Sequence, residues 1–213
     1  MSAVDERRRM NGGHDDDDAA PADDARAFAV IIGGMLLTFF AGVAFSFILS
    51  TPILPQMALT FRAVAFGVAA TAPLCGFLFW FMRSNIPEIV KFRESQIEFF
   101  SQIGFEFTAS RIALMAIGAG ITEELLFRGV FQTWLSSMLP VALAIILPNI
   151  VFGLLHARTA LYAAIAGLVG CYLGVIFWFS GNLVAPMVTH GLYDVVALEL
   201  TRRAIASAKS AGA

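Results

Sequence analysis

The stretch IALMAIGAGITEELLFRGVFQTWLSSML, residues 112–139, decides how this chain folds. It is apolar enough to enter a bilayer, yet it carries Glu123, Glu124 and Arg128 near its centre. Each ionised group in the middle of a membrane helix costs roughly 2.5 to 3.5 kcal/mol even on the lenient insertion scale. Three such groups in one span mark a site as well as an anchor.

The rest of the composition agrees with a membrane setting. Of 213 residues 58% are hydrophobic and only 14% charged, with a mean hydropathy of +0.77, which excludes an ordinary soluble domain. A spanning helix needs about 20 apolar residues. Runs that meet or approach this length occupy residues 28–49, 63–82, 112–138, 141–155, 161–179 and 183–200, the fourth being short. The expected fold is all-α: a polytopic membrane helix bundle of about six transmembrane helices, with the site among the last four. Of the 14 Lys and Arg, all but Arg62 and Arg128 then fall on one side of the bilayer. Short cytoplasmic segments retain such charges, so both termini are expected in the cytoplasm and the protein in the plasma (inner) membrane.

The chain divides into a tail at 1–27, a membrane domain at 28–203 with its motif core at 111–200, and a short C-terminal tail at 204–213. The first tail is acidic, with four consecutive aspartates at 15–18, and lacks the apolar residues that would offset its ordering entropy, so it is expected to be disordered. His14 beside these aspartates has no second strong ligand placed to hold a metal. The long apolar stretch that follows reads as a retained anchor and not as a cleavable signal. Cys75 and Cys171 lie in spans and indicate no disulfide framework. A net charge of −2, with the acids gathered in the tail, gives no nucleic-acid footprint.

Between the second and third spans, residues 86–107 mix apolar and charged side chains as an amphipathic interfacial helix does. Such a helix either gates a substrate or simply connects and seals the bundle. Ala163, Gly167, Gly170 and Gly174 recur at helical spacing and suit close approach to a neighbouring helix. Pro148 and Pro186 each remove a backbone hydrogen bond, and kinks are expected there.

The ionisable residues within the last four spans are Glu123, Glu124, Arg128, His156, His190 and Asp194. Residues four apart share a helix face and adjacent ones diverge by about 100°. Glu124 and Arg128 can therefore pair within one helix, leaving Glu123 to point elsewhere. The same spacing relates Phe152 to His156 and His190 to Asp194. Taken singly, Asp194 could serve only to hold the His190 tautomer, and His156 could sit at a helix end with its ring toward the interface. Taken together on neighbouring helices, they can be satisfied only by one another or by water. A carboxylate and an imidazole facing each other can deprotonate water. A second imidazole with a carboxamide or protonated acid can stabilise the oxyanion formed when that water attacks a carbonyl. No serine or cysteine pairs with these histidines as a nucleophile. The alternative chemistry uses Glu123, His156 and His190 as a zinc site with an open position for water.

Three motifs in order now resemble a known family, the CAAX protease and bacteriocin-processing (Abi) intramembrane peptidases: Glu123-Glu124-Leu-Leu-Phe-Arg128, Phe152-Gly-Leu-Leu-His156 and His190-Gly-Leu-Tyr-Asp194. The resemblance implies an endopeptidase in which Glu123 and His156 activate water and His190 and Asp194 stabilise the oxyanion, with Glu124, Arg128 and Phe152 in support. It implies a membrane-associated protein or peptide substrate, among them prenylated proteins and bacteriocin precursors. It requires no cofactor on the glutamate-type reading; Zn2+ or another divalent ion enters on the metalloprotease reading. The chain departs from the prenyl-protein proteases at Asp194, where those carry Asn. Straight helices would also put Glu123 near mid-membrane, His156 near the cytoplasmic end and His190 nearer the outside. The rival functions are a proton- or cation-coupled transporter, which also uses buried acids and histidines, and a non-catalytic membrane scaffold. Oligomeric state is left open.

Overall fold

In hydrocarbon an open chain can satisfy its backbone only by closing every hydrogen bond inside a helix, and the apolar runs do so throughout. A computed structural model describes residues 16–211. Its elements are α1 (Asp16–Ile48), a 3-10 turn (Leu54–Gln56), α2 (Phe61–Arg83), α3 (Pro87–Gln102), α4 (Ala109–Glu124), a π-helical stretch (Leu125–Gln132), α5 (Thr133–Ser136), α6 (Val141–Leu155), α7 (Ala160–Ser180) and α8 (Val184–Ala211). No strand occurs among the described residues. The protein is an all-α polytopic bundle. Asp23–Ile48, Phe61–Arg83 and Ala160–Ser180 are each long and apolar enough to cross a membrane, and Val141–Leu155 is a shorter apolar helix. Large side chains such as Leu37, Phe47, Leu168 and Phe179 project outward from these helices. In water that surface would demand a partner; in a bilayer, lipid is the partner.

Threonines start three of the helices. Thr60, Thr108 and Thr159 accept from the backbone N–H of Ala63, Arg111 and Tyr162 at 3.1, 3.3 and 3.1 Å, satisfying donors that the first turn leaves free. Pro87 opens α3, where its missing N–H costs nothing. α3 covers most of the predicted interfacial segment and buries no residue of its own. Arg93 ties it to the end of α2 by donating to the carbonyls of Met82 (2.7 Å) and Ser84 (3.3 Å).

The last helix organises the bundle, packing along α2 on one side and α4 on another, with α3 and α7 also against it. Its contact with α4 is backbone-close. A Cβ on Gly120 would stand 3.0 Å from both the Met187 carbonyl and the Gly191 nitrogen. Any larger residue there would push apart the helices that carry Glu123 and His190. On the α2 side Thr189 donates to the Gly67 carbonyl at 2.9 Å. α6 and α7 form a second close pair, with Gly153 and Gly167 face to face, as the small-residue spacing of α7 predicts.

Several expectations change. Of the 1–27 tail, residues 1–15 and with them His14 lie outside the described residues, whereas 16–27 form the start of α1. At the other end α8 continues through most of the expected 204–213 tail to Ala211. Pro186 breaks nothing, because α8 begins at Val184 and the missing N–H falls in a first turn that has no intrahelical acceptor for it. The span at 112–138 is not uniformly α-helical: directly after Glu124 it widens into the π stretch before returning to α5.

Candidate active site

Glu123 and Glu124 end α4 side by side and face different surroundings. Glu124 and Arg128 are both fully buried, at 0% exposure. Arg128 Nη1 donates to Glu124 Oε1 at 2.8 Å, and its Nη2 donates to Asn149 Oδ1 at 3.0 Å and to the Gly170 carbonyl at 2.6 Å. The guanidinium therefore bolts the π stretch, and through Glu124 the end of α4, to both α6 and α7. Gly170 is required for this, since a Cβ would lie 2.3 Å from Asn149 Oδ1 and 3.2 Å from Arg128 Nη2. The Phe152 ring lies 5.4 Å from the guanidinium carbon, and Phe127 packs edge-on to Phe152 at 5.0 Å. Phe152 is thus a wall between the buried cation and the cavity side of α6.

The same Glu124 oxygen takes a second partner. His190 Nδ1 lies 2.8 Å from Oε1, and because a carboxylate can only accept, Nδ1 carries the proton. The other face of the ring is open toward acids: Nε2 stands 3.4 Å from Asp194 Oδ2 and 3.9 Å from Glu123 Oε2. Glu124 thus joins Arg128 of the adjoining π stretch to His190 of α8, a wider connection than the intrahelical pair its spacing suggests. Glu123, with 23% of its side chain exposed, remains free of any closer ion pair.

His156 closes α6, and its Nδ1 lies 2.8 Å from the Phe152 carbonyl. A carbonyl accepts, so Nδ1–H donates and the Nε2 lone pair is left to face outward. The ring stacks on Phe152 with centroids 4.4 Å apart. Glu123 and His156 do not touch. Both line one cavity of about 370 Å³, together with His190, Asp194, Tyr162 and Tyr193. The bundle thus brings Glu123, His156, His190 and Asp194 to a common space and places Glu124 and Arg128 behind it. The depth mismatch of straight helices is resolved at the α4–α8 contact around Gly120, which sets His190 beside Glu124, and by a cavity that extends along α8 to Thr201 and Ala204.

The three side chains considered as zinc ligands are not gathered as a ligand set. Among the described residues no group of three or more His, Cys, Asp or Glu is placed to hold a metal ion. His190 Nδ1 is committed to Glu124 and His156 Nδ1 to the backbone, which leaves Nε2 of each ring as its uncommitted nitrogen.

With this geometry in hand, residues 105–196 match the family model for Type II CAAX prenyl endopeptidase Rce1-like proteins. These residues are similar to the Rce1-like family. The Rce1-like segment runs from just before α4 into α8 and contains all three motifs, while α1 to α3 lie outside it. The match supports an integral membrane enzyme of protease type. No curated protein and no solved structure matches the chain.

Around the Rce1-like core, three polar residues escape a motif-based reading. Asn149 is 1% exposed, accepts from Arg128 and donates from Nδ2 to the Ile145 carbonyl at 2.7 Å. Gln132, 2% exposed, donates to the Gly174 carbonyl at 2.9 Å. Gln56, on the 3-10 turn, donates to the Gly129 carbonyl at 3.1 Å and accepts from Thr133 at 2.9 Å, strapping that turn to the π stretch. A carboxamide in an apolar run was the available signal for Asn149 and Gln132, since an unpaired one would be costly there. Nothing local marks Gln56, whose partners lie more than 70 positions along the chain.

Proposed function

We propose that the protein is an intramembrane endopeptidase that hydrolyses a peptide bond in the cavity bordered by α4, α6, α7 and α8. The observation that carries this reading is the contrast between the two acids: Glu124 is buried and shared by Arg128 and His190, while Glu123 faces a cavity with a histidine across from it. A base must reach its water, and of the two only Glu123 does. Water held between Glu123 and the outward Nε2 of His156 gives its proton to Glu123 as its oxygen attacks the substrate carbonyl. The proton then passes to the departing amine. His190, fixed through Nδ1–H by Glu124 and flanked on Nε2 by Asp194, has an acceptor for a proton on each nitrogen, so an Nε2–H can be presented to the oxyanion. No step runs through a metal ion.

The family match favours a membrane-associated protein or peptide as substrate, and prenylated proteins are one class. Asp194, where the prenyl-protein proteases carry a carboxamide, favours testing unprenylated peptides beside them. The decisive experiment compares membrane proteomes of cells bearing the wild type or Glu123→Gln, then tests each accumulated precursor with purified enzyme. Precursors that accumulate in the variant and are cut only by the wild type are expected. Full activity in Glu123→Gln would overturn the proposal.

A further inference from the structure

An oxyanion needs donors, and several of the polar groups lining the cavity are already committed. Glu123 and Asp194 can only accept when ionised. The Nδ1–H of His156 is spent on the Phe152 carbonyl, and that of His190 on Glu124. Arg93, at the α3 edge of the cavity, is held by the carbonyls at the end of α2. Besides the Nε2–H of His190, which faces Asp194, the lining offers Gln96 of α3, whose Oε1 accepts from Arg158 at 2.6 Å and whose Nε2 is buried without a partner among the described residues, and two phenols, Tyr162 and Tyr193. Unlike Tyr172, whose hydroxyl donates to the Ala70 carbonyl at 2.8 Å, neither makes a hydroxyl hydrogen bond among the described residues.

The two differ in which wall they occupy. Glu123, His190, Asp194 and Tyr193 belong to the α4–α8 wall, whereas His156 and Tyr162 belong to the α6–α7 wall. Negative charge developing on a substrate carbonyl is repelled by Glu123 and Asp194, so the oxygen turns toward α6 and α7. Tyr162 is fixed there in advance. Its backbone N–H is capped by Thr159 at 3.1 Å. Its ring is wedged between His156, edge-on at 6.4 Å, and Phe92 of α3 at 6.1 Å. A donor immobilised before the reaction costs no reorganisation when charge appears.

We propose that Tyr162 is a further catalytic residue, whose O–H donates to the oxyanion and supplies the hydrogen bond that a carboxamide at position 194 would otherwise give. The inference rests on the endopeptidase reading. In the step, the water oxygen bonds to the carbonyl carbon, the C=O π pair moves onto oxygen, Glu123 holds the water proton, and Tyr162 donates without losing its own. On collapse the C–N bond breaks and the amine leaves with the proton from Glu123.

The test uses full-length protein in nanodiscs and a panel of internally quenched peptides, farnesylated at cysteine or unmodified. Tyr162→Phe keeps the ring and removes only the hydroxyl. It is expected to lower kcat by about 10²- to 10³-fold, the range for removal of one oxyanion donor, with KM within twofold and the unfolding midpoint unchanged. Adding Asp194→Asn to Tyr162→Phe is expected to recover at least fivefold in kcat, because the amide restores a donor. Wild-type kcat in Tyr162→Phe, a loss confined to KM, a larger loss in Tyr193→Phe or Gln96→Leu, or no recovery in the double variant would each overturn the assignment. Absence of any Glu123-dependent cleavage across the panel would overturn the endopeptidase reading itself, and this proposal with it.

Discussion

Two adjacent glutamates should fail in opposite ways. Glu124→Ala removes the one carboxylate facing Arg128, a cation with no exposed surface, and leaves that cation with only neutral acceptors, Asn149 and the Gly170 carbonyl. Breaking a buried pair by deleting one partner costs about 3 to 5 kcal/mol, since the survivor stays desolvated. His190 loses its Nδ1 acceptor in the same stroke. At about 2 to 4 °C per kcal/mol for a chain of this size, the midpoint should fall by roughly 6 to 20 °C. Glu123→Ala removes a part-exposed carboxylate with no close ion pair and should cost about 1 kcal/mol or less, while ending cleavage. The assay is equilibrium unfolding of purified protein in mixed micelles, followed by tryptophan fluorescence, beside a cleavage assay on the same samples. The charge argument carries its own control. Glu124→Leu combined with Arg128→Met should be less destabilised than Glu124→Leu alone, because a buried pair exchanged for apolar groups is often neutral whereas a lone charge is not. Equal stability losses in Glu123→Ala and Glu124→Ala, or a double variant worse than both singles, would refute the reasoning.

Further expectations follow from single contacts. Asn149→Ala deprives Arg128 Nη2 of one of its two acceptors and should lower unfolding free energy by about 1 to 3 kcal/mol. Gly170→Ala drives a methyl to within 2.3 Å of Asn149 Oδ1 and should destabilise by about 1 to 3 kcal/mol through overpacking, visible as a lower midpoint in the same assay. Glu123→Gln should retain the wild-type midpoint and lose about 10²- to 10⁴-fold in turnover, the worth of a positioned general base. Exhaustive chelation of the purified enzyme should leave cleavage within twofold of the untreated rate; loss that a single added divalent ion restores would require a metal in the mechanism.

The parts of the structure that follow from short-range spacing are those the sequence displays. Helices come from apolar runs of spanning length, the Glu124–Arg128 pair from a separation of four, and the contact of α6 with α7 from small residues repeated at helical intervals. Each is set within a turn or two of chain. What escapes such reading is long-range or shared. The second partner of Glu124 Oε1 lies 66 positions away on α8, and no local pattern shows that one oxygen serves two donors. The protonated Nδ1 of His156 is fixed by a backbone carbonyl, which every residue has and no motif marks. The π stretch follows Glu124 with no proline or glycine pair to announce it; Gln56 and Thr133 show their relation to it only once the chain is folded. The expected kink at Pro186 fails for a related reason: a proline's effect depends on where its helix begins, and α8 begins two residues earlier.

The i,i+4 pairing also bears on how the protein is made. α4 and the turn after it leave the ribosome before α8, so Glu124 and Arg128 must enter the bilayer while His190 is not yet synthesised. Because they are neighbours on one helix, each neutralises the other at that moment, and the insertion machinery meets one uncompensated charge, Glu123, where composition alone would present three. When α8 arrives, Glu124 Oε1 accepts His190 without releasing Arg128. The scaffold of the site is thus assembled in the order of translation, and a variant that moved the arginine from the π stretch to α8 could keep the Glu124 ion pair in the finished protein and still fail to be inserted.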